Sequence, residues 1–251
     1  MAGIWVVAQH RRGELHKMTL EALAAGQQLA ADGGGELEVV VLGSGEAAGV
    51  AEELRGCAVS AVRVAEAESL ADYTPGGYVG VLAAAMAAES PDLVLFPHTY
   101  QSVEYVPRLA QATGAALVTE AVSFSRRDGR LIWKRPVLGG KLQAEVAVRG
   151  EGPALISLQS GAFAADAVAR GGEPAAVRPM AGEAAPDRQV LGVEEASEQE
   201  IDLSQASIIV AVGRGIGKEE NLPIIEELAE ALGGEIGASR PVIDSGWLKR
   251  E

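Results

Sequence analysis

The chain has 251 residues, of which 48% are apolar and only 4% aromatic, so it can build an aliphatic core in one or two domains. Its 21 basic and 35 acidic residues give a net charge of −14, which excludes the basic footprint of a nucleic-acid-binding protein. The single cysteine, Cys57, cannot form an internal disulfide, and this favours a reducing compartment. The sequence shows neither a leader pattern nor an apolar run of roughly 18 residues. We therefore expect a cytoplasmic protein that is not membrane-inserted.

Strand and helix signals alternate through the first half of the chain. Short apolar runs typical of buried strands alternate with helical segments that close on glycine or proline. The strand signals cover residues 3–9, 37–43, 58–65 and 92–97, and the helical signals cover 15–31, 45–56, 76–90 and 101–114. Strands separated in this way by helices predict βαβ units and a mostly parallel sheet between two helical layers.

The pattern changes after residue 114. Residues 116–163 alternate apolar and polar side chains, with turn signals at Asp128-Gly129, at Gly139-Gly140 and at residues 150–152. This alternation predicts an antiparallel extension on the parallel sheet. Residues 164–186 are rich in Ala, Gly, Pro and Glu and indicate a loose connection. We predict an N-terminal α/β domain over residues 1–202 and a second α/β unit over 203–251.

The second unit contains one clear strand and one clear helix. The run "ASIIVAVG" at residues 206–213 predicts a buried strand, and Pro223 suits the first turn of the helix that follows. The apolar residues Leu222, Ile225, Leu228, Ala229 and Leu232 are predicted to line one face of that helix. One strand and one helix cannot cover a parallel sheet on both faces. We therefore expect the sequence to contain only the first part of this domain.

The turn "VGRGIGKEE" at residues 212–220 resembles two nucleotide-binding motifs and matches neither. A Walker A loop would need glycine at Val212 and Ser or Thr at Glu219. A dinucleotide fingerprint would need one more residue between Gly215 and Gly217. The glycines still allow backbone N–H groups to approach a phosphate, and a plain strand-to-helix turn explains them equally well. Both interpretations stay open on this loop alone.

A second turn, "GASR" at residues 237–240, follows another short strand signal. Both turns should lie at the carboxyl ends of neighbouring strands, where open α/β sheets bind ligands. Arg214 and Arg240 would then point to one crevice. A planar and permanently charged guanidinium suits a phosphate or an electron-rich ring. The alternative is a surface turn with solvated arginines.

Other chemistry has little support. His10, His16 and His98 lack metal-ligand spacing to other ligands, so we predict no metal site, and the sequence has no nucleophile elbow for a hydrolase. We predict no catalytic residues. The polar stretch at residues 97–110 could hold a small ligand, but capping of the following helix explains it more simply.

Three stretches resemble the alpha subunit of electron transfer flavoproteins. They are "FPHTYQSVEYVPRLAQATGAALVTEAVSF" at 96–124, the paired segments "KRPVLGGKLQAEVAV" and "PALISLQSGAF" at 134–148 and 153–163, and "VGRGIGKEENLPIIEELAEALGGEIGASRPVIDSGW" at 212–247. The similarity covers essentially the whole chain, although Gln159 stands where the family often has Arg. The family continues with further FAD-binding motifs that this sequence does not contain, so we expect the chain to end inside its flavin domain.

The resemblance implies an electron carrier rather than an enzyme with its own substrate. It implies a heterodimer with a beta subunit, and FAD that takes electrons from dehydrogenases and passes them to a membrane quinone reductase or another acceptor. By motif match, the carried-over flavin contacts are Gly213, Arg214, Gly215, Ser239 and Arg240. Since the later motifs are missing, we expect this chain alone to bind FAD weakly or not at all.

Two other functions remain open. An adenine-nucleotide-binding α/β module without a redox role would fit the N-terminal βαβ layout. A purely structural partner that scaffolds the beta subunit is the third possibility. The sequence names neither the donor nor the acceptor of electrons.

Overall fold

A computed structural model describes residues 3–33, 35–150, 152–180, 186–192, 203 and 206–248. The chain divides into two compact units, Met1–Val190 and Leu191–Glu251. The predicted domain boundary lies between residues 202 and 203, and residue 202 is outside the described residues. That boundary therefore stays a prediction.

Regular elements make up most of the described residues, and we number them in chain order. The strands are β1 (Gly3–Val7), β2 (His10–Arg11), β3 (Glu14–Leu15), β4 (Glu36–Gly43), β5 (Ala61–Glu66), β6 (Leu93–Pro97), β7 (Ala116–Ala121), β8 (Ser123–Arg127), β9 (Arg130–Val137), β10 (Leu142–Ala147), β11 (Ala154–Leu158), β12 (Ala176–Pro179), β13 (Ile209–Val212) and β14 (Glu235–Ala238). The α-helices are α1 (Lys17–Ala31), α2 (Ala47–Leu54), α3 (Pro75–Glu89), α4 (Tyr100–Thr113), α5 (Leu222–Leu232) and α6 (Arg240–Asp244).

The first unit is built on a seven-stranded sheet in the order β12-β5-β4-β1-β6-β11-β7, and every pair in it is parallel. One face packs against α1 and α2 around residues such as Leu23 and Leu54. The other face packs against α3 and α4 around Leu82 and Leu109. These two helical layers around a parallel sheet confirm the predicted α/β class with a three-layer, mostly parallel first unit. The prediction holds because strands buried on both faces have continuous apolar sequences.

The region after residue 114 differs from its prediction in two details. Only β8, β9 and β10 form an antiparallel sheet, and it is a separate one. Strands β7 and β11, which the alternation also assigned to the antiparallel region, pair in parallel within the main sheet. All five residues of β11 are buried, so its tertiary position between two strands decided its pairing over local alternation.

The segment predicted to be a loose connection also packs against the first unit. Strand β12 pairs with β5, and the Gln27 side chain exchanges hydrogen bonds of 3.0 and 2.8 Å with the backbone of Ala169. Cys57 is buried and bridges to Arg170 through the backbone. Residues 164–180 of this segment therefore contain regular contacts with the first unit, which the composition did not indicate.

In the second unit, β13 and β14 pair in parallel and α5 connects them. Pro223 lies in the first turn of α5 as predicted, and Gly233 ends the helix in a left-handed conformation. Leu222 and Ala229 are buried, whereas Leu228 and Leu232 are about half exposed, at 47% and 49%. The predicted apolar face of α5 is thus only partly covered within the described residues.

Within the described part of the chain, no helix is both long and apolar enough to span a membrane.

Candidate functional site

The two turns identified in the sequence lie side by side. Strands β13 and β14 pair so that Val212 is opposite Ala238, the last residue of each strand. The N–H of Ser239 donates to the Val212 carbonyl at 3.0 Å, which carries the pairing one step further. A Cβ atom built on Gly213 would lie 4.0 Å from the Ser239 hydroxyl oxygen. The structure therefore brings both turns to the carboxyl edge of one parallel sheet, which is the edge that binds ligands in open α/β folds.

The first turn leaves two backbone donors unused. After β13, residues Arg214–Ile216 form one turn of 3₁₀-helix, in which Ile216 N–H donates to Gly213 and Gly217 N–H donates to Arg214. Among the described residues, the N–H groups of Arg214 and Gly215 have no acceptor. Free N–H groups at the start of a helical turn are the usual backbone ligands of phosphates and other anions.

The glycines of this turn have different structural reasons. Gly217 has φ of +83°, a conformation that glycine adopts without strain. Gly213 has φ of −118°, and Gly215 is not among the residues with positive φ. A Cβ on Gly215 would meet no protein atom within 4 Å. The fold thus requires glycine at 217 but not at 215, where an open surface lets a ligand approach the backbone.

The second turn presents Ser239 and Arg240 to solvent. Ser239 precedes α6 and accepts backbone hydrogen bonds from Val242 and Ile243, but its hydroxyl makes no capping bond. The Arg240 side chain is 91% exposed, and its Nε lies 3.6 Å from a carboxylate oxygen of Asp244, itself 65% exposed. An ion pair this exposed holds its partners only weakly. The Arg240 guanidinium is therefore available to a ligand.

Within residues 206–248, the basic side chains all lie in or directly after these two turns. Across residues 206–248 the cations are Arg214, Lys218 and Arg240, and all three follow the carboxyl ends of β13 and β14. The seven acids in the same range are Glu219, Glu220, Glu226, Glu227, Glu230, Glu235 and Asp244. Glu219 and Glu220 directly follow Lys218, and Asp244 pairs with Arg240, so the turns contain all three cations of this range together with acidic neighbours.

The five predicted contact residues are thus placed together on one edge and are all exposed. Gly213, Arg214 and Gly215 belong to the first turn, and Ser239 and Arg240 belong to the second. Whether both guanidiniums face one ligand stays a prediction. Asn221 was not predicted from its sequence context, and its side chain reaches back into the first turn and donates to the Ile216 carbonyl at 2.8 Å.

The stretch at residues 97–110 is explained by helix capping. Thr99 and Ser102 form a reciprocal capping box at the start of α4. His16 caps α1 with a single bond, in which its Nδ1 accepts from the N–H of Met18 at 3.2 Å. Among the described residues, no group of three or more His, Cys, Asp or Glu is placed to hold a metal ion.

His98 belongs to a polar cluster that the sequence did not indicate. Its Nδ1 lies 2.8 Å from the Ser157 hydroxyl, and its Nε2 lies 3.8 Å from a carboxylate oxygen of Glu120. Glu120 lies at a register shift between β7 and β11, with φ of +57°, and its N–H donates to the same hydroxyl. Ser157 is only 2% exposed. This serine is therefore inaccessible to a substrate, and its hydroxyl serves to support the bulge.

We expect His98→Gln to make the stability of the first unit less sensitive to acid. Burial lowers the pKa of His98 below its ordinary value of 6.5, Glu120 opposes that shift and Arg135 adds to it. The unfolded chain therefore takes up a proton at a higher pH than the folded chain, and the wild type loses stability as pH falls through that window. Urea unfolding at about pH 7.5 and about pH 5.5 measures this. An equal acid-induced loss in both proteins would show that His98 does not stay neutral.

Comparison with known proteins agrees with this architecture. Residues 4–186 match the electron transfer flavoprotein domain, and residues 202–251 match the electron transfer flavoprotein FAD-binding domain. The electron transfer flavoprotein subunit alpha of Syntrophomonas wolfei is 32% identical over 100% of this chain and 77% of its own length. The subunit of the same name from Bacillus subtilis is 31% identical over 96% of this chain and 73% of its own length. The acryloyl-CoA reductase electron transfer subunit beta of Anaerotignum propionicum is 28% identical over 98% of this chain and 75% of its own length.

The chain covers 77% and 73% of the length of these two alpha subunits. The matched domains cover both units, and the alpha-subunit relatives align over nearly the whole chain. The chain belongs to the alpha subunit family of electron transfer flavoproteins.

Proposed function

We propose that this chain is an electron carrier subunit whose second unit binds FAD between its two turns. The observation that carries the proposal is the pairing of β13 with β14, which brings the glycine turn and the Ser239-Arg240 turn to one edge. In this proposal the chain transfers electrons and does not act on a substrate of its own.

The residues present fit a flavin dinucleotide. The unused N–H groups of Arg214 and Gly215 suit the pyrophosphate, and the open surface over Gly215 allows its approach. The two arginines supply positive charge, and the Ser239 hydroxyl supplies a hydrogen-bond donor and acceptor. Bound FAD would supply the redox chemistry. A guanidinium beside the ring would favour its reduced, anionic form, and we assign this role to Arg240.

The proposed partners follow from the family. We propose that the chain forms a cytoplasmic heterodimer with an electron transfer flavoprotein beta subunit. The heterodimer would receive electrons from dehydrogenases and deliver them to a quinone reductase or another acceptor. One relative is named as an electron transfer subunit of acryloyl-CoA reductase. Membership of the family does not specify the electron donor or the electron acceptor of this chain.

We expect FAD to bind the 251-residue chain weakly. All five proposed contacts are exposed, and the sheet that presents them has only two strands among the described residues. Interactions with a ligand at so open a site are screened by water and salt. FAD that copurifies at one equivalent would show that this expectation is wrong, while still supporting the proposed function.

Titration of glycine-labelled chain with FAD tests the proposal directly. Selective ¹⁵N-glycine labelling reports on Gly213, Gly215 and Gly217, and weak binding shifts these signals without needing a tight complex. Gly215→Ala is the matched variant, because its methyl group meets no protein atom and so leaves folding unchanged. We expect it to weaken FAD binding by about tenfold, since it blocks the approach to the backbone.

AMP serves as the competing ligand that distinguishes the nucleotide-binding alternative. The alternative would place AMP in the first unit, at the sheet edge where the Thr99 hydroxyl after β6 donates to Gln9 after β1 at 2.6 Å. We expect FAD to shift the second-unit glycines more strongly than AMP does at equal concentration. Tight AMP binding without any response of these glycines to FAD would overturn the flavin proposal.

A further inference from the structure

Asn221 occupies a helix-capping position but does not cap its helix. It ends the 3₁₀ turn Glu219–Asn221 and immediately precedes α5. Asparagine at such a position usually accepts a hydrogen bond from the first turn of the helix. Here its backbone is helical, with φ of −91° and ψ of −6°, and its side chain makes no capping bond. The amide is therefore committed elsewhere.

The Asn221 side chain holds one peptide group of the glycine turn. Its Nδ2 donates to the Ile216 carbonyl at 2.8 Å, and the residue is half-buried. The N–H of the same peptide group belongs to Gly217 and donates to the Arg214 carbonyl at 3.1 Å. A peptide group is planar, so hydrogen bonds at both its ends fix its orientation. Asn221 thereby ties the turn to the start of α5.

The segment fixed in this way contains the unused donors of the site. Between Gly213 and Gly217, the N–H groups of Arg214 and Gly215 are those without an acceptor in the described residues. Exposed glycines would otherwise let this backbone sample many conformations. Preorganised donors bind an anion better than donors that must be ordered during binding.

We propose that Asn221 is a positioning residue for the FAD-binding turn, acting through the Ile216–Gly217 peptide group. This inference rests on the proposed function, because it takes the turn to be the ligand site. Asn221 itself is not assigned a contact with FAD. Its contribution is to keep the Arg214 and Gly215 donors in the arrangement that binds the ligand.

Two substitutions at Asn221 separate positioning from helix capping and from charge. Asn221→Asp has the same shape and is a good capping residue, but an ionised carboxylate cannot donate to the Ile216 carbonyl. Asn221→Ala removes the donor without adding negative charge, and it loses no capping bond because none exists. Ser245→Ala is the control, since it removes another side-chain bond to a carbonyl in this unit, 2.8 Å from Ser245 to Pro241.

The first measurement is the rate of hydrogen exchange of the glycine amides without ligand. The second is the dissociation constant for FAD, obtained from the same glycine signals. We expect faster exchange of the Gly217 amide in both Asn221 variants, and dissociation constants raised about fivefold, the equivalent of one hydrogen bond. The thermal midpoint of unfolding should be unchanged in Asn221→Asp. Ser245→Ala should match the wild type in every measurement.

The outcomes distinguish this inference from the function on which it rests. Wild-type affinity for FAD in both Asn221 variants would overturn the positioning role and leave the proposed function intact. Weaker binding in Asn221→Asp alone would show charge repulsion and also overturn it. No response of the wild-type glycines to FAD would overturn the proposed function, and the positioning role with it. Unchanged exchange at Gly217 would show that the side-chain bond does not hold the turn.

Discussion

Replacing Glu38 with glutamine is expected to lower the free energy of unfolding of the first unit by about 3 kcal/mol. The Glu38 side chain lies in central strand β4 and is only 9% exposed. Its carboxylate accepts hydrogen bonds from the Arg63 guanidinium and from the indole N–H of Trp5 at 3.1 Å. The neutral amide keeps the shape and loses the charge that pairs with Arg63.

The expected cost is large because Arg63 would stay buried with less compensation. Its side chain is 15% exposed and lies over the Trp5 ring, 5.7 Å from the ring centroid. Glu89 provides a second carboxylate at 2.6 Å, but Glu89 is 30% exposed and its interaction is more strongly screened. Removing one member of a buried pair leaves a desolvated charge, which costs more than losing an exposed pair.

Urea unfolding followed by circular dichroism measures this difference. Glu52→Gln is the matched control, because Glu52 is 70% exposed in its pair with Arg55 and should change stability by less than about 0.5 kcal/mol. Arg63→Met, alone and combined with Glu38→Gln, completes a double-mutant cycle. We expect the double variant to be more stable than Glu38→Gln alone. A Glu38→Gln protein as stable as the Glu52→Gln control would show that the pair is not a buried one in solution.

The layered fold of the first unit could be predicted because its strands and helices have strong local signals. The strands β1, β4, β5 and β6 are short apolar runs, each followed by a helix, and all four lie in the parallel sheet. Strands β7 and β11 carry weaker signals, and their parallel pairing depends on neighbours far away in sequence. The burial of Glu38 within an apolar strand likewise depends on Arg63 from the next strand. Local pattern does not encode such tertiary choices.

The candidate site could be located from the sequence for a physical reason. Both turns directly follow strands, and parallel neighbours end at the same edge, so adjacency of Gly213 and Ser239 was predictable. The hydrogen bond from Asn221 to Ile216 was not, because an asparagine before a helix is normally read as its cap. The His98 cluster was missed for a similar reason, since it depends on Glu120 adopting a left-handed conformation at a bulge.

The largest expected effect on ligand binding comes from removing the two arginines together. Arg214→Ala and Arg240→Ala should each raise the dissociation constant for FAD by about tenfold, as the loss of a charge-assisted hydrogen bond predicts. The chain carries a net charge of −14, so an anionic ligand depends on the few cations near it. Neither arginine is held by a buried ion pair among the described residues, so both substitutions should leave folding unchanged. The glycine-labelled titration with FAD measures the two single variants and the double variant that lacks both arginines.

Lys218→Ala is the control that separates specific contacts from general charge. Lys218 is exposed and follows the same glycine turn, but it is not among the proposed contacts. If the arginines bind through their planar, multiple-donor geometry, Lys218→Ala should change affinity much less than either arginine variant. Added salt should reduce the lysine effect further, because it screens exposed charges at a distance.

Where the chain is assembled with a beta subunit and loaded with FAD, Arg240→Ala should also lower the reduction potential, because it removes positive charge that favours the reduced form. Equal effects of Arg214→Ala, Arg240→Ala and Lys218→Ala on affinity, with an unchanged reduction potential in Arg240→Ala, would mean that the turns attract anions without forming a defined flavin site.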